Sequence, residues 1–596
     1  MDRSKNSSAE TSPDDASRLK SLFAEGKLIH PYLCKEFFQS ASSAPSSQDV
    51  SLHDHVALNF VDLAASLAIC CGVTPRKDSA GHDEIPIVGN TNSRLALKED
   101  DIQSRRVQLV AEIGGSGENN NDDDGSMFHR KHIVLILCDG MGNSILQTAL
   151  DKQSFFNRNN QQQRLRAVFP STTPAALTTL ATAAWPGSHG LPGWDLRDKK
   201  GCDFPGNHDN AHPPVQLLVL ADHIKDARSG RLASEMGFDS WDDVFLEEPW
   251  AKHVGTSNNS DYNSNKANMQ QRRMIYINAY NGDDYQEWSQ GTKNHNEKKR
   301  KYSDATDFSE WQMGKQASSK PQSTLFDTAK IEETAFHTLG EPKGSVDAIQ
   351  YYRDGINAAL DLIAKAEKDG ESTFTYLYTA HPDKHMHALG VDHSEVRNVV
   401  IGIERETERL WRVLGDREAL LRGEYDADVC KNVKQEECRK KGLDAVDATV
   451  VLTADHGHIT VQPEDMIVLP ECILELMEYA CIGVHGKGRH GYLYCRAGLQ
   501  KTLQQRWNAI DELHEHFLLL TIEEAMEVGL FGPKYMRMEV RPRLGDFVSI
   551  SIGKKTLVTP SENETFRKGC KCQGAHGSLH PDEMHIPFIL LEPSNH

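Results

Sequence analysis

Four short, nearly unbroken apolar runs constrain this chain most: "IVLILC" (Ile133–Cys138), "FTYLY" (Phe374–Tyr378), "ATVVL" (Ala448–Leu452) and "IPFILL" (Ile586–Leu591). A strand with one solvated face alternates apolar and polar residues, whereas strands covered on both faces, as in a parallel sheet, read as continuous apolar runs. Segments with helical spacing lie between them. In "SEVRNVVIGIERETERLWRVL", Val396, Val399, Val400, Ile403, Leu410, Trp411 and Leu414 share one face, and Ser394 is placed to cap it. This alternation predicts an α/β fold: a doubly wound, mostly parallel central sheet flanked by helices.

The pattern starts at His132. Residues 1–130 read as a mostly flexible N-terminal region. The first 48 or so are Ser-rich and polar, and residues 76–130 are polar again and include "GENNNDDDG". Only Leu52–Gly72 carries an apolar helical stripe, which predicts one helix near 52–72 docked on the main body. Residues 131–596 form the principal domain, interrupted by a low-complexity Asn/Gln/Ser/Lys-rich insertion near 255–325 and a charged insertion near 415–446. The basic cluster Lys298–Lys301 reads as a solvated face.

A formal charge of -20, from 86 acidic and 66 basic residues, argues against wrapping a nucleic-acid polymer, which needs a basic face. A small anionic substrate remains open, because bound cations reverse a local field. The 12 cysteines are irregularly placed and read as buried thiols; Cys570 and Cys572 are too close for a zinc ribbon. The N-terminus shows no apolar signal region, and no run approaches the ~18 uncharged apolar residues of a membrane span. The expectation is a soluble, cytoplasmic protein of unspecified oligomeric state.

Acidic and imidazole residues collect where the predicted strands end, the edge at which doubly wound sheets bind ligands. Asp139 directly follows the first run, as a metal ligand or as a helix cap. In "VFPSTTPAALTTLATAAWPGSHG", Pro174 suits the first position of a helix through Ala175–Trp185. Thr173 is then its N-cap, with its hydroxyl among free N–H groups that suit a phosphate. His189 reads as structural. Asp383 and His387 stand four apart, so a helical turn would face both the same way, a partial set for zinc. His381, His385 and His393 crowd that signal. Asp455 and His456 follow the third run; His576 precedes the last, with His580 and His585 as alternatives. Three carboxylates, three imidazoles and a threonine are about what two cations with one open face need for an in-line phosphoryl displacement.

The order of these motifs resembles the type I phosphodiesterase/nucleotide pyrophosphatase family of the alkaline phosphatase superfamily. The resemblance is carried by Asp139-Gly140, the Phe169–Thr173 segment followed by Pro186–Gly190, the D-x-x-x-H-x-x-G set Asp383, His387 and Gly390, the Asp455–Gly457 triplet, and His576-Gly577. It covers roughly residues 130–230 and 345–596 and implies an alkaline-phosphatase-like catalytic domain with two divalent metal ions, zinc first. By position, Asp139, Thr173, Asp455 and His456 would hold one, and Asp383, His387 and His576 the other. Thr173 would be the nucleophile, with Thr172 the alternative. One position departs: animal nucleotide pyrophosphatases have an Asn three residues after the nucleophile, where this chain has Ala176. Asn143 or a backbone N–H would have to replace it, which puts nucleotide specificity in question.

The resemblance therefore implies a zinc-dependent hydrolase of phosphodiester or pyrophosphate bonds, acting on a small phosphate ester or nucleotide-like molecule. Alternatives are a phosphomonoesterase of the same superfamily and a non-catalytic scaffold or binding protein. A sulfatase is disfavoured, because no C/S-x-P-x-R segment stands at the nucleophile position. The set could also accept manganese.

Overall fold

In the computed structural model, three of the four apolar runs lie side by side as parallel strands. The structure describes residues 14–42, 56–73, 99–114, 130–161, 164–198, 215–219, 224–226, 246–247, 250, 273–278, 344–425, 445–478, 489–533, 536–560 and 573–593. The central sheet consists of β1 (His132–Cys138), β2 (Arg273–Asn278), β3 (Thr373–Thr379), β4 (Ala448–Thr453) and β5 (Ile589–Leu591). Its order is β5-β4-β1-β3-β2. All pairings are parallel except that of β5 on β4. Every residue of β1, β3 and β4 is buried, which explains their unbroken apolar character.

Chain order reverses direction across the sheet at β1, with β3 on one side and β4 on the other. Such a switch point opens a crevice at the carboxyl edge. Cys138 is in register with Thr379, and Leu137 with Thr453, so all three strands end at one level. Asp139, Asp383 and Asp455 are therefore delivered to one place.

The fourth run behaves differently. Pro587 lacks an N–H, and the chain breaks around it into His585–Ile586, which pairs with Leu165–Arg166, and β5, which joins the central sheet. β2 lies inside the stretch read as a low-complexity insertion. "RMIYIN" is short and embedded in polar sequence, yet Ile275 and Ile277 are buried and its backbone completes the sheet beside β3. The charged stretch opens with a helix, Arg417–Arg422, capped by Asp416. Residues 255–272, 279–325 and 426–444 of the two insertions, including the Lys298–Lys301 cluster, and Cys570 and Cys572 lie outside the described residues.

Within the N-terminal region, the described segments dock on the body despite their polarity. Its Asp15–Glu25 helix buries Leu19 and Phe23, and the following turn buries Leu28 and Tyr32. At about 1.5–3 kcal/mol each, these buried side chains contribute to holding the segment on the body. Polar contacts fix the position: Leu519 N–H donates to Asp15 Oδ2 (3.0 Å), and Ile29 N–H to the Leu579 carbonyl (2.8 Å). His30 accepts from Leu33 N–H at Nδ1, which leaves Nε2–H to donate to the Val528 carbonyl (2.9 Å). The expected docking helix is Phe60–Cys70, capped by Asn59 and buried nearly all round rather than along one stripe. It packs between the Thr173–Thr182 helix and a further helix, Glu99–Gly114, which the polar reading of residues 76–130 missed.

The Ser394–Leu414 helix buries the predicted face, with Trp411 partly covered. Its cap is His393, whose side chain accepts from Glu395 N–H; Ser394 is already helical. Cys70, Cys71, Cys138 and Cys495 are buried as expected, whereas Cys34 is half-buried and Cys472 is exposed. No helix among the described residues is long and apolar enough to cross a membrane.

Candidate active site

The backbone turns sharply after β1. Gly140 adopts φ 72°, and its N–H, with that of His456, donates to Asp455 Oδ1 (3.0 Å each). The glycine of the Asp455–Gly457 triplet answers to close packing: a Cβ there would lie 1.9 Å from the Asp582 carbonyl oxygen. The Gly457 N–H donates to the Glu583 carbonyl (2.8 Å), locking this turn to the 580s.

The seven predicted residues come together. Thr173 Oγ1 lies 3.1 Å from His456 Nε2. His456 Nε2 is 3.6 Å from Asp139 Oδ1 and 3.3 Å from Asp455 Oδ2. Asp383 lies at the start of the Asp383–Leu389 helix, with Oδ2 3.4 Å from His387 Nε2 one turn on and Oδ1 4.0 Å from His576 Nε2. The His456 and His576 rings stack at 3.6 Å. Ligand atoms of Asp139, Asp383 and His456 lie within 4.8 Å of one another, so the two halves adjoin.

The surroundings aim these groups inward. His456 Nδ1 faces the Gly457 carbonyl (3.0 Å), His387 Nδ1 that of Gly574 (2.9 Å), and His576 Nδ1 that of Ser171 (2.8 Å). Each Nδ1 must carry the proton to make its bond, which leaves a lone pair on Nε2 pointing into the cluster. Tyr378 O–H donates to Asp139 Oδ2 (2.5 Å). Asp139 Oδ1, Asp383 Oδ1 and Asp455 Oδ2 are buried without a hydrogen-bond partner. Leaving such atoms unpaired costs about 1–3 kcal/mol each, more when charged. Divalent cations would satisfy all three, so the residues present fit the two ions.

Burial, reinforced by the Asp455 and Asp383 carboxylates, pushes the Asp139 carboxyl well above its usual range. Burial acts to raise Asp383 too, whereas proton uptake by the facing His387, His458 and His576 rings outweighs it and draws that carboxyl well below its usual range. His576 is held well below the usual imidazole range by burial and then by His456, which keeps it neutral.

Several expectations need correction. Thr172 caps the Thr173–Thr182 helix, and Thr173 is its first residue rather than its cap, a boundary shift of one position. The helix ends at Ala183, which takes a left-handed conformation before Trp185. Thr172 Oγ1 is buried and unpartnered, while Thr173 Oγ1 faces His456. Asn143 is engaged at both ends of its amide, accepting from Asn160 and donating to the Ile586 carbonyl, and Ala176 is buried. His189 binds Thr179 Oγ1 and Leu191 N–H, apart from the cluster. His580 caps Pro581–Met584, and His585 sits in a strand pair. His381 and His385 face each other at 3.0 Å.

One imidazole went unread in the sequence. His458 Nε2 lies 3.2 Å from Asp383 Oδ1, within the group formed by Asp383, His387 and His576. The signal was available: His456 and His458 flank Gly457, and their rings lie 6.4 Å apart, centre to centre.

The family model of type I phosphodiesterase/nucleotide pyrophosphatase matches residues 133–579. Similar solved structures include murine ectonucleotide pyrophosphatase/phosphodiesterase 5, at 13% identity over 77% of this chain and 87% of that one, TM-score 0.42. Phosphonoacetate hydrolase from Sinorhizobium meliloti 1021, in complex with phosphonoformate, is 16% identical over 77% and 90%, TM-score 0.42. No curated protein matches the chain. With the family match spanning most of its length, this chain belongs to the type I phosphodiesterase/nucleotide pyrophosphatase family.

Proposed function

We propose that this chain is a metal-dependent hydrolase of phosphodiester or pyrophosphate bonds in small molecules, using Thr173 as nucleophile and two divalent cations, zinc first. One observation carries the reading: three buried carboxylate oxygens without partners converge with inward-facing imidazoles beside the Thr173 hydroxyl. Asp139, Thr173, Asp455 and His456 would hold one cation, and Asp383, His387 and His576 the other. When bound, the pair supplies Lewis-acid stabilisation of charge on the phosphoryl oxygens and on the threonine oxygen. The doubly wound arrangement of the sheet is part of the same reading.

Thr173 Oγ1 attacks phosphorus in line; the Oγ–P bond forms as the bond to the leaving oxygen breaks, the hydroxyl proton passing to solvent and the leaving oxygen taking one from it. Water then attacks the phosphothreonine from the vacated side, releasing a phosphate monoester and restoring the hydroxyl. Tyr378 fixes Asp139 through both steps, and the three Nδ1–carbonyl bonds keep the rings from rotating. The Thr173–Thr182 helix aims its N-terminus at the same point, where unpaired N–H groups suit phosphate oxygens. Relatives' ligands support a small phosphorus-containing substrate: one solved neighbour is in complex with AMP and another with phosphonoacetate.

Thr173→Ala is expected to abolish hydrolysis of bis-p-nitrophenyl phosphate while two equivalents of cation remain by elemental analysis. A variant with full activity refutes the assignment.

A further inference from the structure

We infer that His458 is a fourth ligand of the cation held by Asp383, His387 and His576, making that site an Asp-plus-three-His centre. The inference rests on the two-cation reading and goes beyond it, because the family resemblance assigns this site three ligands only. His458 is 1% exposed. Its Nε2 has no hydrogen-bond partner, although it lies 3.2 Å from Asp383 Oδ1. One ligand atom from each of Asp383, His387, His458 and His576 falls within a single 4.8 Å span. The His458 ring is 4.5 Å from that of His387 and 5.2 Å from that of His576, centre to centre.

The chain around it places the ring as it places the other three. Nδ1 points at the Ile459 carbonyl (3.4 Å), the same Nδ1-to-backbone pattern seen at His387, His456 and His576. A neutral imidazole has one N–H. With an acceptor at each nitrogen, the ring cannot satisfy both the carbonyl and Asp383 by donating; a cation between Nε2 and the carboxylate resolves the conflict. Gly574 seats the arrangement. A Cβ there would come 2.6 Å from His458 Cε1, while the Gly574 carbonyl holds His387 Nδ1. The Ile459–Thr460 and Gly574–Ala575 strands pair antiparallel, so this glycine and His458 are brought together by backbone hydrogen bonds. One residue thus makes room for one ring and orients another.

The consequence is two unequal sites. One oxygen and three nitrogens suit zinc, whereas the site of Asp139, Asp455, Thr173 and His456 is oxygen-rich and more tolerant of manganese.

The test is zinc titration of metal-stripped full-length protein against a competing chelator, for wild type, His458→Ala and His458→Gln, with zinc-edge X-ray absorption on samples loaded with one equivalent. Wild type should bind two zinc ions. Both variants should lose at least roughly tenfold in affinity at one site only, and the imidazole count of the one-equivalent sample should drop. Glutamine can still donate to Asp383, so wild-type affinity in His458→Gln would show an outer partner and overturn the inference. Equal weakening of both sites, with a lower melting temperature of the metal-free variant, would overturn it as well, because the role is then structural. Wild type that binds no zinc would remove the two-cation reading itself.

Discussion

The Arg489–Glu583 pair allows a stability prediction to be worked in full. Both side chains are fully buried. Arg489 Nε and Nη2 reach Glu583 Oε1 (2.9 and 2.5 Å), and Nη1 donates to Ser551 Oγ (2.5 Å) and to the Lys555 carbonyl (2.8 Å). The other carboxylate oxygen accepts from Ser578 N–H (2.5 Å). Arg489→Met fills similar space but strands the carboxylate with one donor. Breaking a buried pair from one side costs about 3–5 kcal/mol, whereas replacing both partners by apolar groups is often close to neutral. The single variant should therefore lose about 3–5 kcal/mol in urea unfolding followed by fluorescence. Arg489→Met/Glu583→Leu should recover most of it, a coupling well above the roughly 0.5 kcal/mol of independent sites. The damage should reach the active site, because the Glu583 carbonyl binds Gly457 N–H beside Asp455 and His456. A single variant within about 0.5 kcal/mol of wild type, or a double variant as unstable as the sum of its parts, would refute the reasoning.

Two further outcomes follow from named contacts. Tyr378→Phe removes the hydroxyl that fixes Asp139 and should weaken zinc binding at the Asp139/His456 site by roughly 10–100-fold; unchanged affinity by chelator competition would contradict this. Burial lowers the His30 imidazole from 6.5 to about 3. The folded protein keeps it neutral while the unfolded chain protonates below 6.5, so its contribution is fully present above that pH and is lost as pH falls toward 3. The slope is about 1.4 kcal/mol per pH unit for one proton. His30→Gln should flatten the stability-against-pH curve between about pH 4 and 6 by one proton's worth; parallel curves for the two proteins would show that His30 does not titrate this way.

The parts of the molecule legible in its sequence are those with a local signature. β1, β3 and β4 announced themselves because burial on both faces leaves only apolar residues. The acids at their ends were visible because a parallel sheet delivers ligands at one edge. What stayed hidden depends on partners far along the chain. β2 has a hexapeptide's worth of signal, and its pairing with β3 supplies the rest. The N-terminal helices are held by residues five hundred positions away, such as Leu519 and Leu579, so their Ser-rich composition misled. Arg489 and Glu583 carry no motif. His458 did have a spacing signal, but its meaning depends on Gly574, whose strand pairing no local pattern reveals.

Anomalous diffraction from zinc-soaked crystals tests the central claim most directly. The account predicts two peaks about 4 Å apart, one touching Asp139, Asp455, His456 and the Thr173 hydroxyl, the other Asp383, His387 and His576. A single peak, none, or a pair placed away from Thr173 would contradict it.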